Sequence, residues 1–309
     1  MRILVTGAGG FLGGAIASRL AARAADQVVR AVRRSTAPEG GLVLDLGDQR
    51  AVAEALADVR PDVVVHGAGR TAGPAAELFA DNACATANIA AALGRAAPAA
   101  GLLLIGSAAQ YGAGEPGHRW AEDDAGLPLD LYGLSKRVAE TCAFAEGRRA
   151  GLRVASLRLF NLVAASPRGD QMFAQFLWKA CAAARAGPPP WRAPMRALGA
   201  VRDFVSLDDA LAAVEQILDR AVWGEAINVC TGVGRPAREL TQAVAEALGG
   251  RLLVEEAPPD DGAGVAWSVG DPGRCEARLG LRPSADLSQI IRAAAEAIAR
   301  EAEHARSQA

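Results

Sequence analysis

The chain has 309 residues, 51% of them hydrophobic and 22% charged, with a formal net charge of -2. That length allows one or two domains with a sizeable core. The near-neutral charge gives no electrostatic case for nucleic acid, and 34 glycines and 16 prolines without a fixed period exclude collagen-like and disordered chains. No apolar run reaches the roughly 20 residues that a membrane span needs. Met1-Arg2-Ile3-Leu4-Val5-Thr6-Gly7 reads as a first strand entering a turn, not as a signal peptide. Five dispersed cysteines without a CxxC read as reduced fillers of a cytoplasmic protein, and three histidines without ligand spacing argue against a metal.

The N-terminal half alternates β-branched runs with Ala/Leu-rich stretches. Ile3–Val5, Val28–Val32, Val63–His66, Leu102–Ile105 and Val154–Leu159 read as strands. Residues of about 11–24, 49–58, 76–97 and 131–150 read as the helices between them. Continuous apolar strands separated by helices predict a parallel sheet covered on both faces, with right-handed crossovers. From about Ser166 the rhythm changes. An amphipathic helix over 171–186 meets the breaker Gly187-Pro188-Pro189-Pro190, and a strand at Asp203–Val205 precedes a helix capped by Ser206 or Asp208. A strand at Ile227–Val229, a helix over about 237–248, a loop at 257–264 and a closing helix from about 286 complete a smaller α+β lobe, interleaved with the first.

Several segments carry chemistry. The first is Thr6-Gly7-Ala8-Gly9-Gly10-Phe11-Leu12-Gly13, between a strand and a helix. Glycines at 7, 10 and 13 let the backbone turn tightly and approach a pyrophosphate, which the positive helix end then holds. At the end of the second strand an acid would hold the ribose of NAD, whereas a base suits a 2′-phosphate. Val28-Val29-Arg30-Ala31-Val32-Arg33-Arg34 has no acid, so Arg33 and Arg34 favour NADP; the plainer alternative is a solvated strand end. Asp45 and Leu46, one strand later, could meet the adenine edge.

The sharpest segment is Tyr132-Gly133-Leu134-Ser135-Lys136. Positions i and i+4 of a helix share a face, so phenol and ammonium point into one space. A free tyrosine titrates near pKa ~10. A neighbouring cation favours the phenolate, which suits Tyr132 to give or take a proton at a carbonyl oxygen. Upstream, Leu102–Ile105 ends at Gly106-Ser107, placing Ser107 at the carboxyl end of a parallel strand, where ligands of open α/β sheets sit.

With these residues the chain resembles the extended short-chain dehydrogenase/reductase family, which comprises sugar-nucleotide epimerases, dehydratases and ketoreductases. The likeness runs through Thr6–Gly13, Asp62–Gly69, Asn82 with Thr86 and Asn88, Ser107–Gly112, Tyr132–Lys136, Arg158–Asn161, Arg202–Asp209, Asn228 and Leu279–Pro283. It implies a Rossmann doubly wound parallel sheet over 1–165 and a mainly substrate-binding lobe over 166–309, with part of about 200–230 returning to the first domain. It makes Tyr132 the acid/base, Lys136 its activator and ribose contact, and Ser107 the second carbonyl donor. Gly67, Ala68 and Gly69 line the cofactor, Asn82 supports it, and Asn161 and Arg202 hold the phosphate end of the substrate. For Arg202 an alternative is a structural pairing with Asp203 or Asp208. His66 reads as a packed strand-end histidine. A homodimer through the helices at about 76–97 and 131–150 is also implied.

Departures from the family pattern narrow the activity. Related 4,6-dehydratases carry Asp-Glu after the Ser/Thr, where this chain has Ala108-Ala109, so dehydration is disfavoured. A Gly-Pro turn after Asn161 and a late Arg-Pro-Gly-Asp loop are also missing; Asp260-Asp261-Gly262 sits near the latter, and Arg192, Arg196, Arg235 or Arg274 could replace its cation. The leading expectation is an NADP-dependent reductase of a nucleotide-linked 4-keto-6-deoxy sugar, with NAD possible. Its alternatives are a nucleotide-sugar 4-epimerase with retained NAD, a reductase of a non-sugar ketone, and a dinucleotide-binding sensor without turnover.

Overall fold

The structure is a computed structural model that describes residues 1–33, 41–166, 172–257 and 266–308. The first half runs β1 (Arg2–Thr6), α1 (Phe11–Ala21), β2 (Gln27–Val32), β3 (Leu42–Val43), α2 (Gln49–Val59) and β4 (Val63–His66). Next come α3 (Ala75–Leu78), a π-helical turn at Phe79–Cys84, α4 (Ala85–Ala96), β5 (Gly101–Ser107), α5 (Leu131–Ala150) and β6 (Arg153–Leu159). The second half comprises β7 (Asn161–Val163), α6 (Met172–Ala186), β8 (Trp191–Arg196), β9 (Val201–Ser206), α7 (Leu207–Arg220), β10 (Ala226–Val229) and β11 (Gly234–Pro236). It closes with α8 (Ala237–Ala247), β12 (Leu252–Ala257), β13 (Trp267–Ser268), α9 (Gly273–Leu279) and α10 (Ser288–Gln308).

Seven parallel strands form the central sheet in the order β10-β6-β5-β4-β1-β2-β3. The chain leaves β1 toward β2 and β3 on one side, then returns to lay β4, β5 and β6 on the other. The strand order therefore reverses between β1 and β4, the place where open α/β sheets bind ligands. Every residue of β4 is buried, and so is every residue of β5 up to Ser107. Such strands need cover on both faces. One face packs on α1, α7 and α9 through Ile16, Leu20, Val214, Ile217 and Leu279; the other packs on α2, α4 and α5 through Val52, Leu56, Ile89, Leu93 and Ala143. This is the predicted Rossmann-type α/β fold.

A separate core gathers α6, β8, α8 and α10 around Phe173, Phe176, Trp191, Leu240 and Ile298. The strands β7, β9, β11 and β13 form a small sheet between the two halves, with β7 directly following the β6 strand end. Ser206 accepts the Asp209 N–H at 3.0 Å and so is the cap of α7, rather than Asp208. Two readings need correction. The helix expected without a break over 76–97 contains the π-helical turn, and the first helix stops at Ala21 rather than near 24. Six strands (β3, β7, β8, β11, β12 and β13) are not among those expected, although the run Leu252-Leu253-Val254 that opens β12 is a strand signal. Four of them have only two or three residues, and β8 carries Pro194, which a strand tolerates only where its N–H is not needed. Of the loop expected at 257–264, all but its first residue lies outside the described residues.

Close backbone contact fixes the turn after β1. Gly7 has φ of +72°, and a Cβ there would stand 2.6 Å from the Ala68 nitrogen of the β4 loop. A Cβ at Gly13 would collide with the Gly7 carbonyl. The two glycines let the start of α1 lie against both loops at the switch point. Gly13→Ala should therefore cost about 1–3 kcal/mol of stability by forced separation of these backbones. Urea unfolding measures this, and an unchanged midpoint would show that the turn can yield.

Candidate active site

A cavity of about 1040 Å³ opens along the carboxyl ends of β1, β4 and β5. It brings together Gly7, Gly10, Phe11, Leu12, Gly13, Arg33, Asp45, Leu46, Gly67, Ala68, Gly69, Asn82, Ser107, Tyr132, Lys136, Asn161 and Arg202. These come from segments up to 195 positions apart, which the sheet order makes adjacent. Arg34, also expected at the cofactor, lies outside the described residues, as do Asp260, Asp261 and Gly262. Arg192, Arg196, Arg235 and Arg274 are not among the described residues that line the cavity. Arg192 pairs with Glu255, Arg235 with Glu239, and Arg274 with Asp123, so these three do not replace the missing loop cation.

At one end the α1 N-terminus faces the cavity. Gly10 caps it without a side-chain bond, and its first turn holds no acid, so the N–H groups and the helix dipole are available to an anion. The loop after β3 is held by Asp45, whose Oδ1 accepts from Gly47 N at 3.0 Å, and by Asn88, which donates to the Leu46 carbonyl at 2.8 Å. Arg33, directly after β2, reaches across to Asp81 in the π-helical turn, 3.0 Å from both carboxylate oxygens. Arg70 meets the same carboxylate at 2.9 Å and Glu77 at 2.8 Å. Arg70 and Asp81 line the cavity without having stood out in the sequence; only folding brings Asp81 to Arg33.

At the centre stands α5. Asp130 caps it, its side chain accepting the Gly133 N–H at 2.6 Å, and this sets Tyr132 in the first turn. Lys136, one turn on, is buried and donates to the Ile105 carbonyl of β5 at 2.6 Å. Burial lowers its pKa to about 8, an effect that the carboxylate of Glu140 partly opposes. Asn82, also buried, clasps the β4 loop and the helix together. Its Oδ1 accepts from Arg70 N at 2.7 Å, while its Nδ2 donates to the Arg70 carbonyl and to Ser135 Oγ, each at 2.8 Å. Ser135 in turn donates to the Tyr132 carbonyl at 2.7 Å. Ser107 sits opposite at the end of β5, its hydroxyl accepting the Ala109 N–H at 3.2 Å.

His66 is fully enclosed, with its ring nitrogens 2.7 Å from Thr6 Oγ1 and 3.1 Å from Thr86 Oγ1. Burial, reinforced by the Lys136 cation, holds its pKa down at about 3. It is a neutral strand-end histidine, as its position suggested. Behind Lys136 lies a buried network. Glu140, one turn further along α5, accepts from Arg158 (2.5 Å), Ser156 Oγ (2.7 Å) and Gln110 Nε2 (3.2 Å). Arg158 also donates to Tyr111 Oη at 2.7 Å, and that hydroxyl donates to Asn228 at 2.7 Å. The i, i+4 spacing of Lys136 and Glu140 was a readable signal for this network.

The other end of the cavity contains Asn161, Met172, Phe173, Arg202 and Phe204. Asn161 donates to the Asp203 carbonyl at 3.2 Å, which turns it toward β9. The Asp203 carboxylate accepts from Thr231 N, Thr231 Oγ1, Gly232 N and Gly270 N, so it is not the partner of Arg202. Among the described residues Arg202 bonds only to the Val201 carbonyl, at 3.0 Å, and burial lowers its pKa to about 10. A half-buried guanidinium with no carboxylate partner among the described residues is suited to an anion brought by a ligand.

The residues fit a dinucleotide. The glycine cradle leaves no space for a Cβ at Gly7 or Gly13, the helix end offers donors, and the volume exceeds what one ordinary small ligand fills. Comparison with known proteins agrees. Residues 3–230 match the NAD dependent epimerase/dehydratase family. Over 301 residues the chain is 31% identical to dTDP-6-deoxy-L-talose 4-dehydrogenase (NAD(P)(+)) of Kitasatospora kifunensis, covering 94% of this chain and 93% of that one. It is 27% identical to GDP-6-deoxy-D-mannose reductase of Pseudomonas aeruginosa, covering 94% and 95%. A crystal structure of Thermus thermophilus UDP-glucose 4-epimerase with NAD superposes with a TM-score of 0.84 at 28% identity, over 97% of this chain and 99% of that one.

The burial of Lys136 has a consequence for stability. Unfolded, the ammonium keeps its proton to near 10.5, whereas in the fold it loses it near 8. Between these values the unfolded chain binds more protons, so this group favours the folded state increasingly as pH rises. Relative to Lys136→Met, the wild type should gain about 3 kcal/mol between pH 7 and pH 11. Urea unfolding of both proteins across that range measures the gain, and a constant difference would contradict a buried, cationic Lys136.

Proposed function

Because the chain belongs to the NAD dependent epimerase/dehydratase family and is on that ground an NAD(P)-dependent enzyme, we propose that it reduces the 4-keto group of a nucleotide-linked 6-deoxy sugar. The observation that carries this reading is that Ser107, Tyr132 and Lys136 all line one cavity, with Ala108 and Ala109 following Ser107. Proton donors for a ketone are present, and the carboxylate pair that elimination would need beside Ser107 is replaced by two methyl groups. Names of two relatives, a 6-deoxy-talose 4-dehydrogenase and a 6-deoxy-mannose reductase, support the substrate class.

In this proposal the glycine turn and the α1 N-terminus hold the pyrophosphate, Gly67–Gly69 and Asn82 frame the nicotinamide half, and Arg33 faces the adenosine ribose, where it favours NADP. A dihydronicotinamide held there would supply the hydride chemistry for reduction of the carbonyl carbon. Ser107 donates a hydrogen bond to the ketone oxygen, and Tyr132 delivers the proton as that oxygen becomes an alkoxide. Lys136, fixed by the Ile105 carbonyl, retains N–H donors for the nicotinamide ribose, and its charge stabilises the phenolate left behind. Arg202 and Asn161 take the diphosphate of the substrate. Phe173 and Phe204 flank that end and exclude water from it.

A nucleotide-sugar 4-epimerase is the second reading, favoured by the likeness to the Thermus epimerase. Epimerisation oxidises and re-reduces with one retained cofactor, whereas reduction exchanges it every turnover. Mass spectrometry of nucleotide released from the denatured protein separates the two. An empty site, with turnover of NADPH and a nucleotide-linked 4-keto-6-deoxyhexose, supports the reductase; stoichiometric NAD overturns it. Tyr132→Phe should lower kcat by about 10²–10⁴ while leaving NADPH affinity within twofold. Undiminished turnover would remove Tyr132 from the proton transfer.

A further inference from the structure

The end of β2 carries no acid, yet the fold brings one there from 48 positions further along the chain. Asp81, in the π-helical turn, stands across the cofactor cleft from Arg33, and both line the cavity. The contact is two-pronged, with Arg33 Nη1 3.0 Å from Oδ1 and from Oδ2. Its Oδ2 also accepts from Arg70 Nε at 2.9 Å. Arg70 has a second carboxylate, Glu77, at 2.8 Å, so it keeps a partner without Asp81. The Arg33 side chain is 62% exposed and that of Asp81 22% exposed. A pair of that exposure is weak and easily exchanged.

We propose that Asp81 is a specificity-determining residue for the cofactor, competing with a 2′-phosphate for Arg33. The inference rests on the reading that the cavity holds NAD(P) with Arg33 at the adenosine ribose. A phosphate dianion draws Arg33 off the carboxylate and is then repelled by it, whereas an unphosphorylated ribose leaves the Arg33–Asp81 pair intact. Asp81 thus supplies from another element the negative charge that an acid on β2 would provide. It holds back a preference for NADP that Arg33 alone would make strong.

Direct binding tests this without turnover. Dissociation constants for NADPH and NADH are measured by nucleotide fluorescence for the wild type, Asp81→Asn, Arg33→Ala and the double variant, at low and high salt. Asp81→Asn should tighten NADPH by about three- to tenfold and change NADH by less than twofold, with the gain shrinking in high salt. In the Arg33→Ala background the gain should fall to less than half. If Arg33→Ala weakens NADPH but Asp81→Asn leaves the NADPH-to-NADH ratio unchanged, the proposal fails while the placement of Arg33 stands. If Arg33→Ala leaves that ratio unchanged, the placement itself fails. NADH affinity reports an intact site in each variant. Loss of NADH binding in both Asp81→Asn and Asp81→Ser would make Asp81 a structural residue and overturn the proposal.

Discussion

The site depends on one buried ammonium. Lys136 lies between α5 and β5, and its bond to the Ile105 carbonyl ties the helix that carries Tyr132 to the strand that ends at Ser107. An unpaired cation at such depth costs several kcal/mol, so it persists only where hydrogen bonds and a nearby negative charge compensate it. Here the sheet carbonyl provides the bond, and Glu140 provides charge one turn away. Glu140 is in turn held by Arg158, Ser156 and Gln110, on β6 and in the turn after β5. The position of the α5 turn that carries Tyr132 is therefore set from behind, by its bonds to β5 and β6.

A second clasp fixes the same helix from the other side. Asn82 spends its whole amide on the Arg70 backbone and Ser135, so the loop after β4 is tied to the N-terminus of α5. Its placement depends on the π-helical turn. One wide turn at Phe79–Cys84 shifts the register of the helix and directs Asn82 inward, with Asp81 beside it toward the cleft. Such turns cost backbone hydrogen-bond geometry and recur at functional sites. The register change that periodicity did not reveal is what delivers two residues to the cavity.

Legibility in the sequence followed locality. The five strands read from apolar runs, the glycine turn, the Tyr132–Lys136 spacing and the strand-end Ser107 depend on residues within a few positions, and each appears in the fold where expected. What pairs at long range was not readable. Asp81 looks like an ordinary helix-start acid until the sheet order sets it against Arg33. The partners of Glu140 lie on other elements, and the short strands β7, β11 and β13 gain their bonds only against β9. Arg202 shows the same limit in reverse. Sequence adjacency suggested Asp203 or Asp208 as its partner, but Asp203 is fully occupied by the backbone and side chain of the 231–232 turn and Gly270.

Among the cations in and behind the cavity, Arg158, Lys136, Arg33 and Arg202 are managed in four different ways. Arg158 is neutralised inside the protein by Glu140, which makes it a structural support. Lys136 is kept charged by a carbonyl and the Glu140 carboxylate one turn away, leaving donors to spare. Arg33, itself exposed, is held by the half-buried carboxylate of Asp81, which in the proposal above gives way to a 2′-phosphate. Arg202 alone has been desolvated with no carboxylate among the described residues, enough to lower its pKa to about 10. Desolvation without compensation is unfavourable to the fold and would be relieved by converting Arg202 to an apolar residue of similar length. On the proposed function, the charge that Arg202 lacks among the described residues arrives with the ligand. A diphosphate meeting a guanidinium in that desolvated setting gains more than it would at the surface, because water screens the contact less.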